Sequence, residues 1–518
     1  MTVSRSELSK ALRAGRDPAV DLVTLLRGLR NDSVKSAAEA REIVALLKLL
    51  PRKSAFDSGT SELRALTVLF QQVASEEAFE VLLDDGVPEL CRLFDLLVTA
   101  PDEALEDDLL FLVKILAIFW SEEGTERVIA AARRPLKPES YLWSVILGQF
   151  NSEHPETDML LEALRDPLPP DFIRVSLLDC ANQRALEQKG APFAHPFDTP
   201  AGRDQLRQWL SSDNELQFSY AHSAAGSLPF VSNPDRDQLL SLALDHTEVI
   251  VQMEGAWASA RLGSEAGLKI LRRYCLDLNR ATSARHYLEG LEREDMIPEE
   301  AQDPGYVARA EFASWLAHPN ELGRPPDTVE IVDQRKLDWP PDGEPRSLWI
   351  LKYAAKDEEG EIDTDCGLVG SVTFCLFRWQ MGLRPPEDVY AIHCAWEMEG
   401  LELIEVVNAE QADRKLPLPI GQWRGEPLEN PRVLSVARLA PELNYPQEVV
   451  TLVEATRDGE PGWAVLDGPR SRWYPHSEMP EGVPASTVRM LHVGRVLLEF
   501  TDEPDRKRYL AAGPRNSG

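Results

Sequence analysis

From residue 5 to about residue 317, apolar side chains recur at three-and-four spacing between short polar connections, and this period predicts a nearly all-helical stretch. The clearest unit runs from Asp245 to Asp277. Asp245-x-x-Glu248 reads as a capping-box-like helix start, and Val249, Met253, Ala256, Trp257 and Ala260 then mark one face. Leu262-Gly263 ends that helix with glycine at the C′ position, Ser264-Glu265 opens the next, and Leu268, Leu271, Tyr274 and Cys275 form its apolar face. An antiparallel helix pair is expected. The most apolar run, Leu109 to Trp120, is interrupted by Lys114 and too short to cross a bilayer, so it reads as a buried helix. At the amino terminus, Ser4-x-x-Glu7 is a capping-box pattern rather than part of a signal peptide.

Displacing the chain so that Asp213 falls on Asp245 also lays Ala221 on Met253, Ala224 on Ala256, Ser227 on Ser259, Leu239 on Leu271 and Asp245 on Asp277. These positions, with Gly255-Ala256-Trp257-Ala258 leading to Arg261-Leu262-Gly263 and then Glu265-Ala266-Gly267-Leu268, resemble a HEAT-type repeat from Asp213 to Asp277. The resemblance implies an armadillo-like α-solenoid, an α-α superhelix over residues 1–320 that stacks helix pairs and offers an extended surface to a protein or peptide partner. Over residues 1–165 the rhythm persists without the letters, and an irregular helical bundle is the alternative. On the first helices of the two best copies, Tyr220, His222, Glu254 and Trp257 are the candidate partner-binding residues. Trp257 also falls on the apolar stripe, where inter-repeat core is the stronger reading.

Near residue 320 the pattern changes. His318-Pro319, Pro325-Pro326, Pro340-Pro341 and Asp342-Gly343 interrupt helix formation, marking residues 321–345 as a proline-rich boundary. Residues 346–512 read as an α+β domain with a largely antiparallel sheet, followed by a polar tail at 513–518. Strands are expected at Thr328–Asp333, Leu348–Tyr353, Leu368–Phe377, Val449–Thr456, Trp463–Leu466 and Val488–Phe500. A turn is expected around Asp357 to Glu361, and tight turns at Asp458-Gly459 and Asp467-Gly468. One helix stands among the strands, with Pro386 at N1, Glu387 and Asp388 suiting its dipole, and Val389, Ile392 and Trp396 on one face.

Composition narrows the function. With 43% hydrophobic and 27% charged residues, the 518-residue chain can bury sizeable cores. Fifty-five basic against 86 acidic side chains give a net charge of −31, a field that repels nucleic acid. Six scattered cysteines without a CxxC pair read as reduced thiols of a cytoplasmic protein. Dinucleotide, P-loop, zincin and nucleophile-elbow motifs are missing. Cys366 with His393 and Cys394 is the nearest approach to a nucleophilic site, but the acidic residues before Cys366 would suppress its thiolate. The histidines never fall at i, i+4, and the acidic stretch Asp357 to Asp365 lacks the ligand order of a calcium loop, so neither metal nor cofactor is expected. Seven of the 12 tryptophans follow residue 325, and a sheet core accounts for them better than an aromatic pocket. Arg506-Lys507-Arg508 follows Asp502, Glu503 and Asp505 and reads as mixed charge. The expectation is a non-catalytic protein-interaction scaffold; the alternative is an enzyme in the carboxyl-terminal domain, to which the solenoid recruits a protein substrate.

Overall fold

The computed structural model describes residues 6–501, apart from residues 18, 30–32, 51–61, 100–104, 188–192, 213, 215–216, 233–234, 357–359, 399–421, 424–425, 440–444, 448 and 480–483. The expected basic stretch Arg506 to Arg508 and the polar tail lie outside the described residues. Two compact units make up the chain, Met1–Ile270 and Leu271–Gly518.

Helices occupy about 56% of the first 320 or so residues, and among the described residues no strand precedes Thr328. α1 (Glu7–Ala14), α2 (Leu22–Arg27), α3 (Ala37–Leu49), α4 (Glu62–Leu69), α5 (Glu76–Val81) and α6 (Val87–Leu97) gather around α3, which touches α1, α4, α5 and α6. The cap of α1 is Ser6, whose hydroxyl accepts the Ser9 amide at 3.1 Å; Ser4 of the expected box lies outside the described residues. Farther along, the helices fall into two files. One holds α7 (Glu106–Ile118), α9 (Leu142–Leu147), α11 (Asp171–Leu186), α13 (Phe218–Ser227) and α15 (Val249–Arg261), each packed on the next in that series. Beside it run α8 (Glu122–Arg133), α10 (Thr157–Ala163), α12 (Pro200–Leu210) and α14 (Arg236–Leu244), with contacts α6–α8, α8–α10 and α12–α14. The apolar run of α7 is buried almost all round, from Leu109 to Ala117, because α4, α6, α8 and α9 surround it.

Local chemistry sets the ends of these helices. Ser121 caps α8 through the Gly124 amide at 3.1 Å, and Thr199 caps α12 through Gly202 at 3.0 Å with Pro200 at N1. α15 ends as its sequence predicts: Gly263 has φ +90°, and the Ser264 amide reaches back to Ser259 O at 3.0 Å. Its start differs. The N-cap is Glu248, without a side-chain capping bond, while Asp245 closes α14 instead. A helix, α16 (Glu265–Tyr274), covers the second expected helical span.

The second unit, which starts within α16, continues with α17 (Ala281–Gly290), α18 (Glu299–Gln302) and α19 (Pro304–Leu316). β1 (Thr328–Trp339), β2 (Glu344–Lys356), β3 (Ile362–Val369) and β4 (Phe374–Cys375) then form an antiparallel sheet in that order. β1 thus occupies much of the proline-rich boundary. α19 packs Ala308, Phe312, Ala313 and Leu316 onto Val329, Leu351 and Tyr353 of this sheet, which is why α19 belongs to the second unit although its helical period continues that of the first. The single strand expected at Leu368–Phe377 is broken at Gly370, whose φ of +119° turns the chain into the short β4. α20 (Pro386–Glu397) starts at the expected proline, but of its predicted face only Val389 and Ile392 are buried; Trp396 is 48% exposed.

After the two-residue strands β5 (Gln422–Trp423) and β6 (Glu426–Pro427) come β7 (Glu429–Arg438), β8 (Val449–Arg457), β9 (Glu460–Leu466) and β10 (Arg472–Pro475), an antiparallel sheet ordered β10-β9-β8-β7. Asp458 and Gly459, at φ 53° and 79°, make the expected two-residue hairpin between β8 and β9. The segment Val488–Phe500 is not a strand. It lies in α21 (Ala485–Thr501), which packs along α20 and onto β9. A single core joins the sheets through this helix pair: Trp339, Leu348 and Ile350 on one side, Val450, Leu452 and Val465 on the other, with Ile392, Val488, Leu491 and Val496 among them.

α20 and α21 cross at Gly494, where a Cβ would stand 1.8 Å from the Ala391 carbonyl oxygen. Gly494→Ala should therefore destabilise this unit by roughly 1–3 kcal/mol or more through overpacking. Denaturant unfolding followed by tryptophan fluorescence measures it, and an unchanged midpoint would contradict the close crossing.

Candidate functional site

Three neighbouring helices of one file carry a polar strip in the first unit. His222 on α13 places Nε2 3.3 Å from Oε2 of Glu254 on α15. On its other flank, Ser223 donates its hydroxyl to Asp179 of α11. Asn182 of α11 donates to the Ser223 carbonyl at 3.0 Å and is itself met by His195 Nε2 at 3.3 Å. The Phe197 amide donates to His195 Nδ1 at 3.3 Å, so the buried His195 is a neutral imidazole with its proton on Nε2, and burial pushes its pKa down to about 4. This relay fixes α13 against α11 and sets the height of His222.

The charges along the strip are coupled. Desolvation works to lower the His222 pKa, but the hydrogen bond and charge of Glu254, with the charge of Asp179, outweigh it and hold the imidazole above its ordinary value. Asp179 keeps solvent exposure on the strip, yet crowding by surrounding protein raises its pKa against the opposing pull of Ser223 and His222. Glu254 is only 9% exposed. The result is a carboxylate on each side of an imidazole, spanning three successive helices.

Of the four residues singled out from the sequence, the structure brings together His222 and Glu254 and separates the other two from them. Tyr220 joins an aromatic group with Trp209 (5.7 Å, edge-on) and Phe172 (6.4 Å), because two residues along a helix turn the side chain by about 200°. Trp257 is 8% exposed, within the core stripe, with the Arg261 guanidinium 5.6 Å from its ring. Asp179 and Asn182 escaped the sequence reading, since only the stacking of α11 on α13 makes them neighbours of His222.

The second unit holds a cleft of about 790 Å³ at the start of β3. Tyr353 pairs with Asp365 and Ala355 with Asp363 across β2 and β3, so Tyr353, Asp363 and Asp365 share one face of the sheet. Glu321, Leu322, Phe377, Arg378 and Gln380 complete much of the wall. Arg378 and Gln380 adopt φ of 68° and 52°, a left-handed conformation that costs on the order of 1–3 kcal/mol for such residues and is held by its surroundings. Asp365 Oδ1 accepts the amides of Cys366 at 2.8 Å and Gly382 at 2.9 Å; burial nonetheless raises its pKa. Tyr353 is 1% exposed, and among the described residues its hydroxyl has no hydrogen-bond partner.

Compared with protein-family models, curated proteins and solved structures, the chain matches none.

Cys366 and His393, considered with Cys394 for catalysis, do not form an activated pair. Cys366 is buried, and desolvation with Asp365 pushes its thiol up to about 11. His393 is fully buried against Phe374, without a partner at either ring nitrogen among the described residues, and burial drives its pKa down to about 3. A second buried network lies in the same unit: Asp467 Oδ2 accepts from Tyr445 at 2.7 Å and meets His492 Nε2 at 2.9 Å, while His492 Nδ1 meets the Tyr474 hydroxyl at 3.2 Å. Burial raises the Tyr474 pKa to about 12, and these contacts tie β9 and β10 to α21. Among the described residues, no three His, Cys, Asp or Glu side chains are placed to hold a metal ion, and no helix is long and apolar enough to cross a membrane.

Because the folded His222 pKa is raised, the stabilisation from its pairing is fully present below an unfolded value of about 6.5 and is lost as pH rises through the folded value. Two-dimensional NMR of the imidazoles should show His222 titrating above its ordinary range and Glu254→Gln bringing it down. A titration unmoved by that substitution would refute the pairing.

Proposed function

We propose that the chain is a non-catalytic scaffold built on a HEAT-like solenoid, and that the strip on α11, α13 and α15 binds a basic segment of a protein partner. The carrying observation is the alignment of Asp179, His222 and Glu254 across three successive helices of one file. Helices that pack on their next-but-one neighbours support the solenoid reading, since each pair then repeats the placement of the one before it. Charge supports the choice of partner. Two carboxylates flank one imidazole on a chain of net charge −31, and such a field steers lysine- and arginine-bearing segments inward while repelling nucleic acid. Protonation of His222 opposes that attraction, so binding should strengthen as pH rises through its pKa.

The test uses the full chain and its Asp179→Asn, Glu254→Gln double variant in cross-linking from native extract, followed by titration of the captured segment as a synthetic peptide. Wild-type protein should capture Lys/Arg-rich segments cross-linked beside α13, and the double variant should bind them about tenfold more weakly, the scale of two charge-assisted contacts on a partly exposed surface. Equal binding by both proteins, or cross-links confined to other surfaces, would rule the strip out as the recognition site.

A further inference from the structure

We propose that the cleft at the start of β3 is a binding site for an alkylammonium group, carried either by a free aliphatic amine or by a lysine side chain of a peptide.

Its wall is built for one positive charge on an apolar stem. Asp363 and Asp365 share a face of the sheet with Tyr353, and Glu321 approaches from the segment after α19. All three carboxylates act on the buried thiol of Cys375, so they surround one volume. Lys352 and Arg378 also line the cleft and balance two of them, which leaves one negative charge for a monocation to neutralise. The carboxylates do not converge as metal ligands do. They are spread along a wall with Leu322 and Phe377, as a methylene chain ending in a cation requires.

The hydroxyl of Tyr353 is the second, independent indication. It is buried in a residue that lines the cleft and has no partner among the described residues. A buried hydroxyl left without a partner costs about 1–3 kcal/mol, and an ammonium donor, which needs up to three acceptors, would satisfy it. Phe377 stacks on Trp315 at 6.1 Å, which holds its ring in place beside the cleft.

The experiment is NMR titration of the full chain with n-butylamine and with Nα-acetyl-lysine N-methylamide, using n-pentanol and butyrate as neutral and anionic controls. Both ammonium probes should give saturable shifts of resonances from β3, and the controls none. The exposed Asp363→Asn should weaken binding about tenfold or more, as expected for loss of a charge-assisted hydrogen bond. Tyr353→Phe should weaken it severalfold while leaving Tm unchanged or raised, because the hydroxyl contributes nothing to the empty fold. Tighter binding of the lysine amide assigns the source as a peptide, and tighter binding of butylamine assigns it as a free amine. Shifts by pentanol or butyrate equal to those of the amines would overturn the proposal. So would affinities unmoved in both variants, or the absence of any saturable shift.

Discussion

The crossing of α20 and α21 is the constraint on which the second unit is built. At Gly494 the two backbones approach until no side-chain carbon fits against the Ala391 carbonyl, and so the helices act as one slab with two apolar faces. A slab of that kind buries a sheet on each face. The hydrogen-bonded sheets can remain separate, each four strands wide, while sharing a single core. The ionic contact of Arg495 with Asp388 joins the same helices, and the Asp467–His492 contact ties the second sheet to α21. These partners hold Asp388, Asp467 and His492 in the buried region, where an unpaired charge would cost far more than the packing around it returns.

The cleft follows from the way the first sheet ends. β4 is only two residues long and covers β3 at Gly367 and Leu368, so the start of β3 extends beyond the paired edge. The chain then turns back through Arg378 and Gln380 in strained conformations and walls off that edge rather than pairing with it. The core packed by α19 and an open recess thus arise from one sheet, on different parts of the same face. In the first unit α11, α13 and α15 stack in one file, and that stacking brings Asp179, His222 and Glu254 together.

Features set by a few adjacent residues were legible in the sequence. The helix at Pro386, the glycine stop at Gly263 and the Asp458-Gly459 hairpin each depend on one local conformational preference, and each stands where its residues predict. The run Val488–Phe500 was misleading because Val and Leu favour a strand, whereas its buried positions Val488, Leu491, His492 and Val496 follow a helical period set by packing on α20. β7 gave little signal: Pro431 lies within it, and its pairing with β8 shifts register twice. At the candidate sites, His222 and Glu254 could be chosen by their offset along a repeat. Asp363 and Asp365 read only as the end of an acidic stretch, and Tyr353 only as the end of a strand.

By itself, then, the sequence determined the helical character of the first 320 residues, the change to antiparallel strands beyond them and the acidic field around the chain, since periodicity, turn chemistry and net charge need no distant partner. Tertiary structure alone decided that Gly494 meets Ala391, that Asp179 stands beside His222 and that Tyr353 shares a wall with Glu321. Those juxtapositions depend on which surfaces exclude water together. That choice is made by the summed packing of whole elements, and no short stretch of residues carries enough of that energy to reveal it.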